Sequence, residues 1–185
     1  YYSKNLFEIF MLWEGGMSFH GGLLGVVISI LFYCKNNNHS FYKFSDIVSC
    51  VAPIGIFLGR IANFINGELY GKISNLPWSV IFPLGGNVGR HPSQIYEAIL
   101  EGFILFIFIN FLALNKKLIF KTGFISGVFL ISYSILRITS EFFREPDYHL
   151  GYFFNYFSIG VLLSILTLIV GFLVLFSIKK NEQNN

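Results

Sequence analysis

Long apolar runs separated by short polar segments dominate this sequence. A helix needs about 20 mostly apolar residues to cross the hydrocarbon core of a bilayer. Five runs reach that length, at residues 15–34, 46–66, 93–114, 122–143 and 150–178. The pattern predicts an all-α, polytopic membrane protein with five transmembrane helices. Residues 1–180 are expected to form a single transmembrane domain, followed by a disordered tail at 181–185.

The composition supports a membrane protein. Hydrophobic residues make up 54% of the chain and charged residues only 12%, against about 25% charged in ordinary soluble domains. The mean hydropathy is +0.63. One helical membrane domain is the natural expectation for 185 residues.

The lysines predict the orientation of the spans, because cytoplasmic loops carry an excess of Lys and Arg. If the spans alternate, seven lysines fall on one side, which predicts a cytoplasmic C-terminus and tail. The segment 67–92 then forms a small extracytoplasmic cap, with a short strand at 77–83 and a turn at 85–87. The seven are Lys35, Lys43, Lys116, Lys117, Lys121, Lys179 and Lys180.

The end of the second run carries the strongest chemical signal. Residues 59–71 read Gly-Arg-Ile-Ala-Asn-Phe-Ile-Asn-Gly-Glu-Leu-Tyr-Gly, which places Arg60 and Asn63 on one helix face, with Asn66 and Glu68 beyond them. A guanidinium within a membrane costs about 2.5–3.5 kcal/mol and marks a functional site by default. Arginine also grips phosphate through two parallel hydrogen bonds. The cluster predicts a site for an anionic lipid headgroup; the alternative is an arginine that reaches from the helix end to the interface.

The fourth run contains a polar stripe, Tyr133, Arg137 and Glu141, at intervals of four residues. One interpretation is a structural ion pair between Arg137 and Glu141. The other is a functional, water-accessible cavity, which the Tyr133 hydroxyl one turn away favours.

His20 and the entry to the third run supply further candidates. His20 is flanked by glycines at the outer start of the first run, where it is either structural or a general base. In the third run, Ser93 is predicted as the N-cap and Pro92 as the helix start. Capping does not explain Glu97 and Glu101 nearby.

Several function classes are disfavoured. Cys34 and Cys50 form no CxxC pair, so a disulfide framework or a metal site is not expected. The sequence has no Walker loop, HExxH motif or GxSxG elbow, and no basic run with interleaved aromatic residues. We therefore expect no cofactor and no nucleic-acid partner.

Four motifs together resemble the bacterial phosphatidylglycerol–prolipoprotein diacylglyceryl transferases. They are the 59–71 motif, Gly-Gly-Met-Ser-Phe-His-Gly-Gly at 15–22, Arg-His-Pro-Ser-Gln-Ile-Tyr-Glu at 90–97, and Arg-Ile-Thr-Ser-Glu-Phe-Phe-Arg-Glu-Pro-Asp at 137–147. Family members have about seven membrane helices, with the N-terminus outside and the C-terminus in the cytoplasm. The resemblance implies that this chain corresponds to the C-terminal part, without the first two helices, and that its cap is reduced.

The resemblance also implies an activity: transfer of diacylglycerol from phosphatidylglycerol to the lipobox cysteine in the signal peptide of a prolipoprotein. The product is a thioether, glycerol phosphate leaves, and the enzyme lies in the bacterial cytoplasmic (inner) membrane. Arg60 and Arg137 match essential arginines, His20 the histidine of the His-Gly-Gly motif, and Asp46 an acidic position. Tyr133 and Glu141 join the catalytic set; Asn63, Glu68 and Gly71 join Arg60 and Arg137 in binding phosphatidylglycerol.

The chemistry fits those residue types. Two arginines neutralise charge that develops on a leaving phosphate, and a base is needed because a thiol is only partly ionised at neutral pH. His20 is the favoured base; Tyr133 and a substrate phosphate are its rivals. A non-catalytic lipid or anion transporter, or a membrane scaffold, is the alternative class.

Overall fold

The computed structural model describes residues 19–115, 121–145, 152–153 and 157–183. The chain divides into two units, Tyr1–Phe44 and Ser45–Asn185.

The first unit contains α1, Phe19–Asn36, which ends in a left-handed turn. Asn38 has a φ of 54°, and the His39 amide donates to the Cys34 carbonyl at 2.9 Å, the pattern that terminates many helices. Within the described residues, the apolar part of α1, Gly25–Asn36, is shorter than a full crossing. The beginning of the predicted first span, at 15–18, lies outside the described residues.

Among the residues that the structure describes, four helices are long and apolar enough to cross a membrane: Phe41–Ile65, Ser93–Ala113, Phe124–Glu141 and Ile159–Lys179. The first is α2. The second, here the third span, joins α3 (Ser93–Glu97), a π-helical segment (Ala98–Ile104) and α4 (Leu105–Ala113). The others are α5 (Phe124–Glu141) and α6 (Ile159–Gln183). With the shorter α1, these helices confirm the predicted polytopic, all-α membrane fold.

Small residues let the helices pack closely. A Cβ at Gly127 of α5 would lie 2.6 Å from the Leu175 side chain, and one at Gly171 of α6 only 2.8 Å from Ile131. A Cβ at Gly102 would lie 2.6 Å from Phe57 of α2. Membrane helices lack a hydrophobic driving force between them and rely on such close approach.

Asp46 joins α2 to the start of α5. Its carboxylate accepts hydrogen bonds from the Gly123 and Ser126 amides, both at 2.7 Å, and from the Ser126 hydroxyl at 2.8 Å. These amides would otherwise lack partners at the helix N-terminus. The acidic position singled out in the sequence therefore caps a helix.

The cap contains a small antiparallel pair, β1 (Val80–Ile81) and β2 (Gly89–Arg90). A strand lies between the two prolines as predicted, but it is confined to residues 80–81 instead of 77–83. The connection, predicted as a turn at 85–87, begins earlier as a 3-10 helix, Pro83–Gly85, because the Gly85 amide donates to the Phe82 carbonyl at 2.8 Å.

The prediction for the last helix, 150–178, is wrong at both ends. A hairpin of β3 (Tyr152–Phe153) and β4 (Phe157–Ser158) precedes α6, and the Val161 amide donates to the Ser158 hydroxyl at 3.2 Å, which starts the helix at Ile159 instead of residue 150. At the other end, α6 continues through Gln183. The tail predicted to be disordered from 181 is therefore helical as far as 183, since none of its residues breaks a helix.

Candidate functional site

Arg60 lies near the end of α2 and contacts two carboxylates of the third span. Its Nε is 2.8 Å from Oε2 of Glu97, and its Nη2 is 3.7 Å from Oε2 of Glu101. The arginine side chain is 18% exposed, whereas those of Glu97 and Glu101 are 1% and 0% exposed. Arg60 is thus paired with both carboxylates and is less completely buried than either of them.

Arg137 of α5 reaches the same carboxylates from another helix. Its Nη1 donates to Glu97 Oε1 at 3.0 Å and lies 3.5 Å from Glu101 Oε1. Its Nη2 is 2.7 Å from Glu141 Oε2, so the ion pair that was one of the two interpretations of the polar stripe is present. Ser140 adds a hydrogen bond of 2.6 Å to Glu101.

The group formed by Arg60, Arg137, Arg144, Glu97, Glu101 and Glu141 is called the arginine–glutamate cluster below. The formal charges of these six side chains sum to zero. Buried carboxylates and guanidinium groups are costly unless they are paired, and every member lies within 4.0 Å of an opposite charge. The pairing explains how three arginines are accommodated beside apolar spans.

Glu97 and Glu101 belong to the site, although they were not among the predicted site residues. They lie four residues apart, Glu97 at the end of α3 and Glu101 inside the π-helical segment. Such segments occur frequently at functional sites. Two acidic residues in an otherwise apolar span were the available signal.

Ser93 is not the N-cap of the third span, so that prediction is wrong. Pro92 holds that position, and the Ser93 hydroxyl donates instead to the Leu69 carbonyl at 3.1 Å. The next side chain, Gln94, donates to the Glu68 carbonyl at 2.6 Å. The start of the third span therefore holds the loop that follows α2.

The polar residues of that loop do lie together. Asn63 and Asn66 both donate to Oε1 of Glu68, at 2.9 and 3.3 Å. Glu68 is exposed. The structure thus brings together the three side chains that follow Arg60, on the accessible side of the loop.

Gly71 lies at a crossing of three backbone segments. Its amide donates to the His91 carbonyl at 2.9 Å, and a Cβ there would lie 2.6 Å from the carbonyl oxygens of His91 and Phe143. Only glycine fits without a shift of the backbone. This packing accounts for a glycine at the position.

Tyr133 borders the cluster from the apolar side. Its ring stacks on Phe129 at 6.1 Å and packs against the core residues Leu105, Ile109 and Ile125. It is near enough to interact electrostatically with Glu101 and Arg137. Its hydroxyl has no hydrogen-bond partner among the described residues.

His20 cannot be placed in the site. The structure describes only its backbone, in the first turn of α1, and that helix belongs to the other unit. Among the residues that the structure describes, no group of three or more His, Cys, Asp or Glu side chains could hold a metal ion.

A second polar network, absent from the predicted site, holds the cap. Arg90 pairs with Glu145 at 2.8 Å and donates to the carbonyls of Gly85 and Gly71 at 2.9 and 3.2 Å. Its guanidinium also lies 4.7 Å from the centre of the Tyr70 ring. These contacts use Nε and Nη1 of Arg90 and tie it to the cap and to Glu145, which indicates a structural role for Arg90.

The fold and the site define a polytopic helical membrane protein with a buried arginine–glutamate cluster linking three of its helices. The family model described as prolipoprotein diacylglyceryl transferase matches residues 1–177. The chain therefore belongs to the prolipoprotein diacylglyceryl transferase family, as the four motifs indicated.

Curated relatives agree with this membership. The chain is 47% identical to the phosphatidylglycerol–prolipoprotein diacylglyceryl transferase of Paramagnetospirillum magneticum, over 95% of the chain and 65% of the relative. It is 46% identical to the protein of that name from Zymomonas mobilis, over 97% and 63%. For Wolbachia pipientis wMel the values are 47%, 94% and 66%. The chain thus spans about two thirds of the length of these relatives.

Proposed function

We propose that this protein transfers the diacylglyceryl group of phosphatidylglycerol to the lipobox cysteine of a prolipoprotein signal peptide. One observation carries the proposal: Arg60 and Arg137, from two different helices, meet in one cluster beside the apolar spans. Family membership supports the same reaction, and so do the names of the relatives.

Arg60 is the proposed first contact for the lipid phosphate. Its Nε and Nη2 face Glu97 and Glu101, while Nη1 contacts no carboxylate within the described part of the chain. Since 18% of the side chain is exposed, we propose that Nη1 is the donor offered to the phosphate. Asn63, Glu68 and the loop around Gly71 would then border the headgroup.

The proposed reaction is a displacement at a glycerol carbon. The thiolate sulfur attacks the carbon that carries the phosphate ester, a C–S bond forms, and the C–O bond breaks. The electron pair of that bond leaves with glycerol phosphate. Arg60 and Arg137 stabilise the charge that develops on the leaving oxygen, and Glu141 holds Arg137 in place.

The thiol proton needs an acceptor in this mechanism. His20 is the proposed base, because an imidazole titrates near neutral pH. Tyr133 and the substrate phosphate are the rival acceptors. The proton finally resides on the glycerol phosphate or in solvent, which balances the reaction.

We place the protein in the bacterial inner membrane, with residues 1–180 as one catalytic domain, the 67–92 cap on the periplasmic side and the C-terminus in the cytoplasm. The lysine distribution supports this orientation. A cysteine at Asn87, in a background without Cys34 and Cys50, should react with an impermeant maleimide from the periplasm. A cysteine at Asn36 should react only after the membrane is opened. The opposite pattern would overturn the orientation.

The transfer itself is tested with phosphatidylglycerol vesicles and a lipobox peptide, using the full reading frame that encodes this chain. We expect the peptide to gain the mass of a diacylglyceryl group while an equal amount of glycerol phosphate is released. A peptide whose cysteine is replaced by serine is the control. Lipid movement without release of glycerol phosphate would instead favour a non-catalytic carrier. The absence of both lipid movement and release would favour a scaffold.

A further inference from the structure

One buried carboxylate, Glu97, is shared between the two arginines of the proposed site. Its Oε2 lies 2.8 Å from Arg60 Nε, and its Oε1 accepts from Arg137 Nη1 at 3.0 Å. The two oxygens belong to one rigid planar group, so the position of one guanidinium restricts the other. We infer that Glu97 is a positioning residue that sets Arg60 and Arg137 as one clamp for the lipid phosphate. This inference rests on the proposed function.

The geometry lets Glu97 orient Arg60 without occupying its Nη1. Glu97 is 1% exposed, and its Oε2 lies 2.8 Å from Nε of Arg60. An arginine has five N–H donors in a fixed fork, so a phosphate can bind at Nη1 while Glu97 forms an ion pair beside Nε. The carboxylate can therefore hold Arg60 in place while Nη1 is left for the phosphate.

Glu101 offers a matched comparison on the same span. It is equally buried, yet its distances to Arg137 and Arg60 are longer, 3.5 and 3.7 Å. Its Oε1 also accepts from Ser140 at 2.6 Å. A glutamine at 101 can still accept the Ser140 hydrogen bond through its amide oxygen. A glutamine at 97 instead places its NH₂ group, a donor, against the N–H groups of either Arg60 or Arg137. One arginine then loses its fixed place.

The test compares Glu97→Gln with Glu101→Gln in the full reading frame, with phosphatidylglycerol vesicles and a lipobox peptide. We expect Glu97→Gln to lower kcat on the order of 10²-fold, since a displacement of about 1 Å can cost that much. Glu101→Gln should lose less than roughly 10-fold. Thermal unfolding in detergent measures how much of each variant is folded. Rates are divided by that amount, so that a loss of folded protein is not counted as a loss of kcat.

A double-variant cycle tests whether Glu97 acts through Arg60. Residues that share one interaction lose their additivity, so Glu97→Gln combined with Arg60→Lys should be hardly slower than Arg60→Lys alone. Losses that multiply would overturn the inference. So would a Glu97→Gln protein that is as active, per folded molecule, as Glu101→Gln.

Glu97→Asp keeps the test decisive if Glu97→Gln does not fold. The aspartate retains the charge but is one methylene shorter and cannot reach both arginines, so we expect a folded protein with a similarly reduced kcat. Wild-type kcat in Glu97→Asp would overturn the positioning role. A wild-type protein that forms no thioether would instead overturn the proposed function, which separates the two failures.

Discussion

The Nε of Arg60 lies 2.8 Å from Oε2 of Glu97, and this contact joins α2 to the third span. The guanidinium that we propose for the lipid phosphate therefore lies against a carboxylate from another helix. Arg60 is partly exposed and Glu97 is buried. The pair thus combines an accessible cation with a fixed internal support, which is the arrangement that electrostatic stabilisation of a leaving anion requires.

Arg60→Lys should fail to restore transfer, and Arg60→Ala should behave alike. Lysine keeps the positive charge but has no planar fork, so it cannot pair with Glu97 and grip a phosphate in parallel at the same time. We expect both variants to form thioether at least about 10²-fold more slowly than the wild type. Mass spectrometry of the lipobox peptide measures the rate. Wild-type rates in Arg60→Lys would contradict the clamp.

Arg137 and Glu141 should behave as a coupled pair. Arg137→Gln leaves several buried carboxylates without their shared cation, and removal of one partner of a buried pair typically costs about 3–5 kcal/mol. We expect a matching loss in the free energy of unfolding, together with loss of activity. Glu141→Gln should lose less, because Glu97 and Glu101 still pair with Arg137.

The double variant decides the coupling between Arg137 and Glu141. Its loss of stability should be close to that of Arg137→Gln alone, rather than the sum of the two single losses. Arg137 would instead act directly on the lipid, uncoupled from Glu141, if Glu141→Gln were fully active and stable while Arg137→Gln folded normally without activity.

Gly71→Ala should destabilise the protein, whereas Gly59→Ala should not. A Cβ at 71 meets two carbonyl oxygens at 2.6 Å, while a Cβ at 59 meets nothing within 4 Å. Overpacking of this kind costs about 1–3 kcal/mol, and alanine in place of glycine inside a helix gains up to about 1 kcal/mol. Thermal unfolding in detergent measures both. Equal stability of the two variants would show that the crossing at 71 relaxes freely.

His20→Gln should lower the rate of the chemical step by roughly 10²–10⁴-fold, the usual contribution of a general base. The deficit should shrink as the pH rises, because the thiol then ionises without help. Phosphatidylglycerol affinity should survive, since the arginines hold the phosphate. A pH–rate profile of the purified variant measures the effect, and a deficit independent of pH would contradict the role as base.

Local spacing predicted some of the site and misled elsewhere. The contact between Arg137 and Glu141 follows from four-residue spacing on one helix, which any α-helix brings together. Ser93 had the right residue type for an N-cap, but its hydroxyl bonds to the Leu69 carbonyl, a partner 24 positions earlier. Contacts at such separations depend on how segments pack, which short-range patterns do not contain.

The sequence by itself determined the helical membrane fold, the positions of most spans and the polar residues on each of them, because length, hydropathy and helical periodicity are local properties. Only the tertiary structure decided that Glu97 lies between Arg60 and Arg137. That contact needs α2, the third span and α5 each to have one particular rotation and depth. Those quantities come from close packing at residues such as Gly102 and Phe57, and from the need of every buried charge for a partner.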